Sequence, residues 1–88
     1  MAPVLILLGK PDCCLCQEMR RLLERVLPSF GLALVDMDVR ENPELEARYV
    51  FEIPVLLAGG RELCRSRVTE AGLRALLEEL VADERPGR

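Results

Sequence analysis

Five apolar residues in succession, Val4 to Leu8, lie between Pro3 and Gly9. The run is too short for a helix. As a strand it has no polar residue at alternate positions, so neither of its faces is suited to water. Such a strand needs packed layers above and below, which directs the chain towards an α/β sheet covered by helices on both faces. The same property places the strand at the centre of its sheet. With 88 residues the chain makes one small domain, which buries only about 60–65% of the surface its unfolded form exposes, so its core is modest.

After a loop from Gly9 to Asp12, Leu15, Met19, Leu22, Leu23, Val26 and Leu27 recur at helical spacing, opposite a face of Gln17, Glu18, Arg20, Arg21, Glu24 and Arg25. That pattern predicts an amphipathic helix, ended by Pro28 and Gly31. Leu32 to Val39 reads as a second strand, and strand, helix and strand over this length form a right-handed unit with parallel strands. Asn42-Pro43-Glu44 starts a short helix, with Asn42 as N-cap, Pro43 in the first turn and Glu44 and Glu46 near the positive end of the dipole. Leu45 and Tyr49 share its inner face. Ile53 to Ala58 is the next strand, and Gly59-Gly60 turns the chain into a weaker one over Arg61 to Arg67, whose charges suit a sheet edge. Thr69 is the expected N-cap of the last helix, Val68 and Leu73 its hydrophobic staple, and Leu73, Leu76, Leu77, Leu80 and Val81 its buried stripe. Asp83 to Arg88 lack an apolar face, so the domain is set at 1–83 with a frayed tail at 84–88. The order is β-α-β-α-β-β-α, a four-stranded mixed sheet flanked by three helices.

Charge and composition exclude several classes of function. A net charge of −3, with arginines dispersed among acids, leaves no clustered cationic face for nucleic-acid phosphates. The apolar run near the start has no basic residues before it and is far shorter than a signal peptide or membrane span, so a cytoplasmic protein with no membrane partner is expected. Of the four cysteines, three fall within Cys13-Cys14-Leu15-Cys16. Clustered in this way they cannot staple distant parts of a fold, which favours chemistry over scaffolding.

The stretch Lys10-Pro11-Asp12-Cys13-Cys14-Leu15-Cys16 spans the change from strand to helix. Cysteines three apart in a first helical turn have Cα atoms roughly 5 Å from each other, within the range a disulfide bridges. A thiol at a helix N-terminus also meets unpaired N–H groups and the positive end of the dipole, which stabilise a thiolate. The pair is therefore the candidate reactive centre. Cys13 is the more exposed thiol and the nucleophile, and Cys16 resolves the mixed disulfide. Lys10 supports the thiolate and Asp12 opposes it. Cys14 is expected to point away from both, and Cys64 to be a small half-buried side chain at a sheet edge.

A Cys-x-x-Cys between the first strand and the first helix, in this element order, resembles the thioredoxin superfamily, and the short form resembles glutaredoxins. The likeness covers nearly the whole chain. It rests on Lys10, Cys13 with Cys16, and Ile53-Pro54 at the third strand, while Pro-x-Cys-x-Leu-Cys is closest to small bacterial glutaredoxin-like proteins. It implies a thioredoxin-like fold, a cis-proline at Pro54 and thiol–disulfide exchange without a tightly bound cofactor. The implied substrate-binding residues are Ile53, Pro54, Leu15 and Tyr49, although Tyr49 is equally readable as packing. The implied partners are a disulfide-containing protein or small thiol, with glutathione or a thioredoxin-reductase-type donor as reductant, and a monomeric state. Two departures bear on glutathione. Cys14 and Leu15 replace the Pro and aromatic residue usual between the cysteines, and Cys64-Arg65-Ser66-Arg67-Val68 lacks the paired acids that cap its α-amino group.

Two other classes remain. Cys13, Cys14, Cys16 and Cys64 are the donors available to a zinc, copper or iron–sulfur site, against which stand the lack of a second ligand pair and of any histidine. A pure interaction module would keep its function when both cysteines are replaced, and no residue pattern supports one.

Overall fold

A computed structural model describes residues 4–84. Seven principal elements follow in the expected order: β1 (Val4–Gly9), α1 (Cys14–Val26), β2 (Ala33–Asp38), α2 (Pro43–Tyr49), β3 (Val55–Ala58), β4 (Arg61–Arg65) and α3 (Glu70–Glu84). The strands make one sheet in the order β2-β1-β3-β4. β1 runs parallel to β2 and antiparallel to β3, and β3 runs antiparallel to β4. The two apolar strands thus occupy the centre, as their composition requires.

Alternation along the strands divides the core. Leu5 and Leu7 of β1, with Leu56 and Ala58 of β3, face α1 and α3; Ile6 and Leu8, with Val55 and Leu57, face Val39, Leu45 and Tyr49. A register shift between Leu56 and Leu57 leaves Leu63 as an extra residue in β4. This bulge turns both Leu63 and Cys64 towards the larger core. Val4 departs from the two-sided burial expected of β1. It is exposed together with Val35, because α2, seven residues long, packs on Leu8, Ile6 and Met37 without reaching them.

The helix ends obey local chemistry. Asn42 Oδ1 accepts from the N–H groups of Glu44 and Leu45 at 3.0 and 3.3 Å, and Thr69 Oγ1 accepts from the Gly72 N–H at 3.0 Å. After α1 the chain makes a 3₁₀ turn, Leu27–Phe30, closed by Gly31 at φ 65, whose N–H bonds back to Leu27 and Pro28.

Three strand limits are shorter than the sequence predicts. β2 ends at Asp38 because Val39 opens a 3₁₀ turn capped by the Asp38 carboxylate. β3 begins at Val55, since Pro54 has no N–H for the ladder. β4 stops at Arg65 because Ser66 adopts φ 62. At the other end of the chain α3 runs to Glu84, and the rest of the expected tail, 85–88, lies outside the described residues.

Candidate active site

The register brings four strand ends into one row. Gly9 pairs with Asp38 across β1 and β2. One step beyond the Leu8–Val55 pair, Gly9 faces Pro54. One step beyond Val55–Arg65, Pro54 faces Ser66, whose N–H donates to the Pro54 carbonyl at 2.7 Å. The segments that follow β1, precede β3 and follow β4 therefore gather at one edge of the sheet. They include the Cys13–Cys16 turn and the Ile53–Pro54 peptide, which is cis.

Cys13 is the N-cap of α1. Its backbone is extended, and its Sγ accepts from the Cys16 N–H at 3.2 Å, taking the place that a serine or aspartate oxygen usually holds. The turn ahead of it is closed by the Cys13 N–H donating to the Lys10 carbonyl at 3.3 Å and by Gln17 Nε2 donating to the Pro11 carbonyl at 3.0 Å. Cys13 is half-buried and Cys14 exposed. Cys16, at the third position of the helix, is only 6% exposed. Burial first, and then its hydrogen bond to the Cys13 sulfur, pushes the Cys16 thiol up to about 12, against the opposing backbone N–H and charge of Lys10. At neutral pH Cys16 holds its proton.

Gly9 makes this placement possible. A Cβ there would sit 2.9 Å from the Cys16 Sγ and 3.1 Å from its Cβ, so any side chain would push the Cys16 sulfur off the end of β1. On the β2 side the pair adjoins a cavity of about 320 Å³ lined by Cys16, Lys10, Gln17, Arg20, Asp36 and Asp38 among others. Both carboxylates in it are engaged: Asp36 with Arg20, and Asp38 with Arg40, whose guanidinium and N–H hold the Asp38 carboxyl below its usual range. Lys10, the chain's only lysine, lines this cavity beside Cys16. A second cavity, about 280 Å³, lies on the β4 side between Leu15, Glu18, Ser66 and Arg67.

Of the expected substrate-binding residues, Leu15 borders this second cavity, whereas Pro54 is buried at the row of strand ends and lines neither cavity. Ile53 and Tyr49 pack into the smaller core and line neither cavity; the Tyr49 ring also carries the Arg48 guanidinium, 5.2 Å from its centroid. Cys64 lies across from Leu56 in the larger core, where burial raises its thiol pKa. Among the described residues no three Cys, Asp, Glu or His side chains converge as metal ligands.

Sequence patterns alone do not single out Gly9, Asp36, Asp38 or Ser66. The aspartates do carry a signal: Leu34, Asp36 and Asp38 share one face of β2, and a helix-facing strand that turns polar at its end marks a cavity there. Gly9 has none, because its role depends on an approach across the fold.

Residues 4–78 match the family described as Glutaredoxin-like domain (DUF836). The chain belongs to that glutaredoxin-like family. Solved structures agree on the fold. Protein Ne2328 from Nitrosomonas europaea is 26% identical with a TM-score of 0.74, covering 85% of this chain and 91% of its own. Target protein XcR50 from X. campestris is 27% identical, also at 0.74, over 86% and 97%. A mutant thioredoxin from Halobacterium salinarum is 28% identical at 0.65, over 89% and 74%. The glutaredoxin-like domain thus has a thioredoxin-like fold, which supports a redox type of function. Among its described residues no helix is long and apolar enough to cross a membrane.

Proposed function

We propose that this glutaredoxin-like domain is a thiol–disulfide oxidoreductase acting through Cys13 and Cys16. The observation that carries the reading is the inequality of two neighbouring sulfurs on one helical turn. The Cys13 Sγ is reachable and already accepts a backbone N–H, a contact that strengthens when the sulfur is negative. The Cys16 thiol is buried and protonated.

The Cys13 thiolate attacks one sulfur of a substrate disulfide. The Cys13–substrate bond forms as the substrate S–S bond breaks, and the leaving thiolate takes a proton from water. Cys16 then gives up its proton and attacks the Cys13 sulfur. The Cys13–Cys16 disulfide forms, and the second substrate thiolate leaves with that proton. Two electrons pass from the dithiol to the substrate, and two molecules of a monothiol such as glutathione, or a reductase-type donor, return them. Lys10 supplies positive charge to the pair, Leu15 borders the space where a substrate lies, and Pro54, buried at the row of strand ends, shapes that space from beneath. No tightly bound cofactor is required, and we read the protein as a cytoplasmic monomer, in a compartment that keeps thiols reduced.

Mass analysis of trapped intermediates tests this. Cys13→Ser abolishes disulfide reduction, whereas Cys16→Ser accumulates a mixed disulfide at Cys13. Full activity in Cys13→Ser overturns the assignment. Burial, the main cause of the high Cys16 pKa, persists in the mixed disulfide. Resolution therefore accelerates nearly tenfold per pH unit from about pH 6 to about pH 9, as the thiolate fraction grows. A rate independent of pH across that interval, read by acid quench, would show that Cys16 is not the group being deprotonated.

A further inference from the structure

Phe51 is 94% exposed, in a chain with only two phenylalanines, one tyrosine and no tryptophan. The other two aromatic residues are used internally: Phe30 packs on the larger core and Tyr49 on the smaller. Neither core includes Phe51. The turn that carries it is nonetheless well braced. The N–H groups of Glu52 and Ile53 both donate to the Tyr49 carbonyl, at 2.7 and 3.1 Å, and the Val50 N–H donates to Glu46 at 3.0 Å. The Glu52 carboxylate is held by Arg65, which also grips Glu62 at 2.6 and 2.7 Å. An aromatic ring is thus held out into water on a hydrogen-bonded turn, next in sequence to a glutamate paired with Arg65. This is the anatomy of an interface anchor.

Its position relative to the reactive pair follows from the chain. Phe51 is three residues from Pro54, so their Cα atoms lie no more than roughly 11 Å apart. Pro54 faces Gly9 at the foot of the Cys13–Cys16 turn. Phe51 thus stands within three residues of the cis peptide that faces the strand end leading into the cysteine turn.

We propose that Phe51 is the docking anchor for protein substrates, entering an apolar recess beside the substrate disulfide and selecting disulfides flanked by apolar side chains. The proposal rests on the thiol–disulfide reading above. Burying a phenylalanine ring is worth roughly ten- to hundredfold in an association constant, and small soluble disulfides cannot supply that contact.

The test uses the full chain, with dithiothreitol as regenerating dithiol and three substrates: two disulfide-bridged peptides of equal length and charge, flanked by leucines or by serines, and 2-hydroxyethyl disulfide. Phe51→Ser is expected to lower kcat/KM on the leucine peptide by about tenfold or more through KM. It leaves the serine peptide, 2-hydroxyethyl disulfide and the melting temperature unchanged, and Phe51→Leu restores most of the loss. An equal loss on all three substrates, or no loss on the leucine peptide, overturns the anchor. So does a dimer in equilibrium sedimentation that Phe51→Ser dissociates, because the ring then serves a second copy. Failure of the unaltered protein to reduce any of the three overturns the exchange reading and the anchor with it, whereas normal reduction without a Phe51 effect overturns the anchor alone.

Discussion

Among the described residues, twelve fully or nearly fully buried side chains from β1, β3, α1, α3 and the connection between α1 and β2 form a single core on one face of the sheet; on the other, the core has only Leu8, Val39 and Val55 at that degree of burial. Stability is therefore concentrated on the α1 and α3 face. The α2 face has little more than the minimum that keeps a sheet from water, and it leaves Val4 and Val35 uncovered. The candidate active site takes its parts from both. Cys13 and Cys16 are anchored through α1 to the deep core, whereas Ile53 packs into the shallow one and Phe51 extends from the same segment. The proposed site would then join a cysteine turn fixed to the deep core with a Phe51 turn that is hydrogen-bonded within itself but rests on the shallow one, and elements with few buried contacts open at lower free energy than the whole domain.

The largest expected effect tests the asymmetry with the same atoms removed from each face. Leu73 and Leu8 are both fully buried, so truncation to alanine deletes an identical group, and what differs is how far the surroundings collapse into the hole. Leu73→Ala leaves a cavity walled by α1, α3 and the sheet and should cost about 4 kcal/mol, near the upper part of the range for such changes. Leu8→Ala lies under short, thinly packed cover that can settle, and should cost about 2.5 kcal/mol. Urea unfolding of both variants reads the difference. Equal losses, or a larger loss for Leu8→Ala, would mean that the two faces support the fold alike.

The amino-acid sequence makes part of this inequality legible. Continuous apolar runs at Val4–Leu8 and Val55–Ala58 can only be central strands, and Asn42, Pro43 and Thr69 announce helix starts through side-chain chemistry that acts within three or four residues. The cysteine pair is legible for the same reason, since its closeness follows from a spacing of three at a helix start. What stays hidden depends on contacts between segments remote in sequence. That Gly9 clears room for the Cys16 sulfur cannot be read from its neighbours in the chain. Ser66 gives no hint that it ends β4 by taking a left-handed conformation and bonding to Pro54. Tyr49 and Ile53 have the composition of binding residues and of core residues equally, and only the fold shows them packed in the smaller core.

The smallest expected effect is also the sharpest on the functional consequence. If the α2 face is the one that yields, the amides of α2 and of residues 49–53 should exchange with deuterium through local openings, at a lower free energy than the amides of β1 and α1, which wait for global unfolding. Arg65 is the link from that segment to the edge strand, through Glu52 on one side and Glu62 on the other. Both pairs are exposed, and exposed ion pairs hold weakly. Arg65→Ala should therefore leave the melting temperature almost unchanged while speeding exchange at Glu52 and Ile53 by about two- to fivefold, with β1 unaffected. Exchange of the α2 amides at the same free energy as β1 would make the domain one cooperative unit. The recognition segment would then be as rigid as the cysteine turn, and substrate choice would rest on the fixed shape around Phe51 rather than on a face that adapts.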